Sequence, residues 1–117
     1  MENIRLETSI KEIESLKVLG LVGEIDVYTA PAFRSAVVNL LDSGVENLVI
    51  DMSGVHYMDS SGFGILLSAT KRLKPEGGNV YLLHCSSAIE RVLRITKLDT
   101  VFGIHNNIQD VLTAMKS

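Results

Sequence analysis

The chain has 117 residues, 46% hydrophobic and 21% charged, with a net charge of −3 at pH 7. That balance predicts one folded domain over residues 1–117 and excludes a disordered chain, and lysines and arginines scattered singly or in pairs give no basic stripe for nucleic acid. With a single cysteine, Cys85, no apolar run near the roughly 20 residues that span a bilayer, and no signal-peptide pattern at Met1–Glu7, the composition predicts a soluble cytoplasmic protein with no disulfide, no cysteine metal cluster and no membrane role.

Ile4, Leu6, Thr8 and Ile10 alternate with polar neighbours, and a second apolar run spans Leu16 to Val22, so the chain should open with a hairpin. Gly23-Glu24-Ile25-Asp26-Val27-Tyr28 reads as a loop, and Thr29 as the cap of a helix whose first turn tolerates Pro31. Phe33, Ala36, Val37, Leu40 and Leu41 share one face of that helix, and Gly44 stops it. Leu48-Val49-Ile50, next to Asp51-Met52, is the short unbroken run of a strand covered on both faces. After the turn around Asp59, the spacing of Phe63, Leu66, Leu67, Thr70 and Leu73 predicts a helix from Gly62 to Lys74, ended by Pro75 and Gly77-Gly78.

Val80–Leu83 is a further buried strand, and Ser87 with Glu90 three residues on is a capping box opening a third helix. Val101–Ile104 reads as a last short strand, and Asn107 as the cap of a helix with Ile108, Val111, Leu112 and Met115 on one face. The order β-β-α-β-α-β-α-β-α predicts an α/β domain in which a mixed sheet packs against about four helices.

Asp59-Ser60-Ser61-Gly62-Phe63-Gly64 stands where a strand gives way to a helix, so its backbone N–H groups and the positive helix end face outward. The plain reading is a helix cap, worth about 1 kcal/mol. A cap needs one side chain, however, and here three short polar residues stand together beside two glycines that admit another molecule close to the backbone. A phosphate here would be tolerated by the helix end while adding about −1.5 to −2 of charge to an exposed surface. These arguments do not choose between Ser60 and Ser61.

Two other classes compete. A hydrolase built on Ser60 with His56, His84 or His105 lacks the Gly-x-Ser-x-Gly elbow and any spacing that ties a histidine to the serine. His84 reads as a partly buried strand-end residue, His105 as part of a turn and Cys85 as a small buried thiol. A nucleotide-binding regulatory domain would use Gly62-Phe63-Gly64 as a phosphate cradle, but neither the lysine-hydroxyl ending of a P-loop nor a dinucleotide fingerprint is present.

Gly23-Glu24-Ile25-Asp26 with Thr29, together with Asp59–Gly64 and the element order of the whole chain, resembles a STAS domain of the anti-sigma-factor antagonist type. The resemblance implies that Ser60, directly after the aspartate, is phosphorylated by a partner that is both serine kinase and anti-sigma factor. It implies that the unphosphorylated antagonist sequesters that kinase and frees the sigma factor, and that a serine phosphatase resets the cycle. Asp26, Thr29, Asp59, Ser60, Ser61, Gly62, Phe63 and Gly64 would then belong to the partner-binding face, in a chain that is not an enzyme and holds no cofactor or metal. Phe63 departs from the smaller aliphatic residue common in the family and should still pack inward. A STAS module in another signalling scaffold is the alternative within the same resemblance.

Overall fold

Two adjacent runs of alternating residues can fold back on each other with only two residues between them, and they do so at the start of the chain. In the computed structural model, which describes residues 6–116, β1 (Glu7–Ile13) and β2 (Leu16–Ile25) pair antiparallel with Ile13 opposite Leu16. The Glu14-Ser15 turn takes φ values of 51° and 70°, the left-handed geometry that matches strand twist. Ile4 lies outside the described residues.

From β2 onward every connection is a crossover helix. α1 (Ala30–Asp42) leads to β3 (Leu48–Met58), α2 (Ser60–Leu73) to β4 (Val80–Leu83), α3 (Ser87–Ile95) to β5 (Gly103–His105), and α4 (Ile108–Met115) follows. The sheet order is β1-β2-β3-β4-β5, with all pairs after the hairpin parallel. The predicted mixed α/β sheet with four helices is therefore the observed one.

Alternation along the strands divides the apolar residues between two layers. Leu19, Leu21, Ile50 and Met52 pack with Phe33 and Val37 of α1, Leu66 of α2 and Leu93 of α3. On the other face Val18, Val49, Tyr81 and Leu83 meet Val111 of α4. The first three helices thus share one face of the sheet, the result of right-handed crossovers in a sheet whose order follows the chain.

Four local expectations are corrected. β3 runs to Met58, well beyond the predicted Leu48–Ile50, and β2 absorbs half of the expected loop by continuing to Ile25. Shifts in register between Gly20 and Val22 and between Gly23 and Glu24, with Gly23 at φ 133°, let the two strands stay paired through this stretch. The cap of α3 is Ser86, whose side chain accepts from the Ile89 amide at 3.2 Å, one residue before the expected Ser87. The last strand is Gly103–His105, with Leu98–Thr100 forming a 3₁₀ turn before it.

Among the described residues the sheet narrows toward one end. There β4 pairs with β3 over Leu48–Asp51 and β1 with β2 as far as Val22. Beyond these points Gly23–Ile25 and Val55–Met58 continue, among the described residues, as a pair of strands.

Candidate functional site

Parallel pairing sets Ile25 beside Met58, and the Asp59 amide donates to the Ile25 carbonyl at 3.0 Å. The loop after β2 and the turn after β3, separate in sequence, are therefore neighbours at the two-stranded end of the sheet. Each is stiffened by one aspartate.

Asp26 Oδ1 accepts from the amides of Tyr28 at 2.9 Å and Thr29 at 3.0 Å. Thr29, expected to cap α1, makes no cap bond to that helix. Its hydroxyl instead donates to the Glu24 carbonyl at 2.8 Å and accepts from the Asp26 amide at 3.0 Å, closing the loop on itself. Thr29→Val keeps the shape and removes both bonds, along with a longer one of 3.3 Å that the hydroxyl donates to Asp26 Oδ1. Leaving the Asp26 amide and Glu24 carbonyl without their partner should cost about 1–3 kcal/mol in a urea titration and speed hydrogen exchange at the Asp26 amide.

Asp59 takes an extended conformation and caps α2, its Oδ1 accepting from the Ser61 amide at 2.9 Å while its carbonyl accepts from Gly62 and Phe63. The cap role is thus filled by Asp59, and Ser60, the first helical residue, stands exposed with Ser61 half-buried behind it. A Cβ on Gly62 would lie 2.5 Å from Met58 Cγ and 2.8 Å from Ile25 Cγ2, whereas one on Gly64 would meet nothing.

Of the expected partner-facing residues, Ser60 and Gly64 are exposed and Asp26, Asp59 and Ser61 are half-buried. Phe63 packs inward as expected, and Thr29 at 4% exposure and Gly62 are buried too, which corrects their placement on a contact surface: the three shape the site from within. Sequence reasoning passed over Val27, Tyr28 and Tyr57, whose side chains are exposed here. The available signal was three large side chains in segments otherwise read as polar turns.

The two segments that carry the site have charge of one sign. Residues 18–33 and 48–70 contain Glu24, Asp26, Asp51 and Asp59 and no lysine or arginine. Lys71 and Arg72 stand at the far end of α2, where Arg72 pairs with Asp42 of α1 at 2.6 Å.

The histidines stand apart from this chemistry. Among the described residues no hydrogen bond joins one to Ser60; His84 is exposed at φ 58°, correcting its expected partial burial, and His105 lies in β5 with its ring 5.9 Å from that of Tyr81. Among the same residues no three of His, Cys, Asp and Glu gather as metal ligands. Burial, reinforced by the Glu90 carboxylate, pushes the Cys85 thiol up to about 12. Thiol labelling at pH 8 should therefore run about a hundredfold or more slower in the native protein than in urea. Because the folded value is the higher one, the stabilisation is complete below the unfolded thiol value of 9.0 and is lost as pH rises toward about 12.

A short exposed hydroxyl on a capped turn thus stands beside a second loop braced by its own hydrogen bonds. The chain belongs to the STAS-domain family, in its anti-sigma-factor antagonist branch: the STAS domain model matches residues 7–111. It is similar to the anti-sigma-B factor antagonist of Bacillus subtilis, 34% identical over 86% of this chain and 92% of that protein. The crystal structure of an anti-sigma factor antagonist from Mycobacterium paratuberculosis superposes with a TM-score of 0.80 at 31% identity, covering 96% of this chain and 95% of that one. The Bacillus cell fate determinant SpoIIAA in its phosphorylated form shares the fold at a TM-score of 0.67 and 19% identity, over 92% of this chain and 99% of that one. No helix among the described residues is long and apolar enough to cross a membrane.

Proposed function

We propose that this protein is a phosphorylation-switched anti-sigma factor antagonist working in the cytoplasm. Unphosphorylated, it binds an anti-sigma factor that is also a serine kinase and so releases the sigma factor; phosphorylation of Ser60 ends that binding, and a serine phosphatase restores it. The observation that carries the reading is the exposure of Ser60 at the first position of α2, with Asp59 alone serving as cap. Similarity to relatives named as antagonists supports the identity of the partner.

The greater exposure of Ser60 favours it over Ser61, whose amide is held by Asp59 and whose side chain is half-buried. The antagonist contributes the acceptor hydroxyl on a fixed backbone, and the kinase contributes base, magnesium and nucleotide. In the forward step the Ser60 Oγ attacks the γ-phosphorus of ATP, the bond to the β-phosphate oxygen breaks with ADP leaving, and the hydroxyl proton passes to the kinase base. A phosphate at this position lies by the positive end of α2, which stabilises its charge, so the fold is expected to survive the modification.

The test is incubation of the purified chain with its kinase and Mg-ATP. Mass spectrometry should find one added phosphate, on Ser60, with none on the Ser60→Ala variant. A phosphate on Ser61, or none, would overturn the assignment.

A further inference from the structure

Three large side chains project into solvent at the two-stranded end of the sheet: Tyr28 is 87% exposed, Val27 63% and Tyr57 51%. Isolated exposed apolar residues are common on protein surfaces. These three are grouped by topology, since Tyr57 lies across from Glu24 in the β2–β3 ladder and Val27-Tyr28 follow Ile25, the partner of Met58. The Tyr28 amide is held by Asp26 Oδ1, so the residue is presented on a fixed backbone with little left to order on binding.

We infer that, on the antagonist reading above, the kinase receives Tyr28 in an apolar pocket and sets a basic side chain against Glu24, making Tyr28 the anchor that selects this partner. Tyrosine is among the residues most enriched at the energetic centres of interfaces, where an aromatic body fills a pocket and the hydroxyl finds a partner at its edge. Charge fixes the complement. Glu24, Asp26 and Asp59 lie at this end of the molecule, and residues 18–33 and 48–70, which build it, hold no lysine or arginine, so a matching surface carries cations at its rim.

That rim does not cancel the switch. Opposite Ser60 the kinase presents the phosphates of its nucleotide, which repel a phosphorylated serine, whereas Glu24 sits on the strand before the loop and meets a different part of the partner. Attraction and repulsion act at separate points of one interface.

The experiment uses the anti-sigma factor and serine kinase proposed above as the partner, loaded with ADP, and the full chain as wild type, Tyr28→Ala, Tyr28→Phe and Glu24→Gln. Tyr28→Ala should weaken binding at least about tenfold with its thermal melt unchanged, because the removed ring is exposed, and Tyr28→Phe should stay within about threefold. Glu24→Gln should slow association and flatten its dependence on salt while leaving dissociation alone. Tyr28→Ala binding within twofold of wild type overturns the inference and leaves the antagonist reading intact. Wild type that neither binds the kinase nor is phosphorylated by it overturns that reading itself. A Tyr28→Ala variant altered in self-association by sedimentation, with kinase binding unchanged, also overturns the inference by assigning the surface to a second copy of the chain.

Discussion

Phosphorylated protein should bind the ADP-loaded kinase at least about a hundredfold more weakly than unphosphorylated protein, a loss of roughly 3 kcal/mol. The expected size comes from charge alone. A dianion added at Ser60 joins Asp26 and Asp59 beside a stretch with no lysine or arginine across residues 48–70, and the partial positive charge at the start of α2 offsets only part of it when the interface excludes water. Ser60→Ala should bind within about threefold of wild type, because the hydroxyl is exposed and makes no bond that organises the turn. Calorimetric titration of the three forms, the phosphorylated one made enzymatically, decides the matter. Equal affinity with and without the phosphate would remove the switch. Ser60→Asp, with one negative charge where phosphate carries nearly two, should fall between.

The second large effect concerns two glycines two residues apart. Gly62→Ala should lower stability by about 1–3 kcal/mol, because the new methyl is driven into Met58 and Ile25 in the core. Met58 can yield; Ile25, fully buried, has less room. Gly64→Ala should raise stability by about 0.5–1 kcal/mol, since an exposed helical glycine with open space gains helix propensity and clashes with nothing. Urea titrations read both changes, and kinase binding separates them further. Gly64→Ala adds bulk to the exposed first turn and should reduce affinity in a protein that is more stable, while Gly62→Ala acts through the fold. A stabilised Gly64→Ala with unchanged affinity would place that turn outside the interface.

Much of this arrangement is legible in the residues. The four helices follow from apolar spacing, and Asn107 is the cap expected, its side chain accepting from the Asp110 amide at 2.9 Å. Parallel pairing follows from the alternation of strands and helices. The length of β3 is not legible, because Ser53-Gly54 looks like a turn and the pairing that keeps it extended comes from β2, 30 or so residues earlier, through two shifts of register. The resemblance already sets the two motifs on one face, and what brings them together is that both strands run on to Ile25 and Met58.

The caps show a smaller failure of the same kind. At Ser86-Ser87 and around Thr29 several residues have the right chemistry, and the backbone path, set by packing, decides which hydroxyl faces an amide. At Asp59-Ser60-Ser61 this ambiguity bears on function. Three side chains can cap and Asp59 does, which leaves two hydroxyls, the exposed one of Ser60 and the half-buried one of Ser61.

The two-stranded end of the sheet has a consequence for how a kinase can read this substrate. β3 continues from Asp51, its last pairing with β4, to Met58, roughly 20 Å at the usual strand rise, before delivering Ser60. Many phosphoacceptors are offered on loose chain that the enzyme must straighten at about 1–2 kcal/mol for each residue it orders. Here the straightening is done beforehand by the ladder, and the acceptor arrives together with a loop from a different stretch of chain. A short peptide copied from around Ser60 would keep the hydroxyl and lose both advantages. On the antagonist reading the kinase would meet a tertiary epitope, assembled only in the folded state, and an unfolded or half-made copy of the protein should be a poor substrate that drops out of the signalling balance.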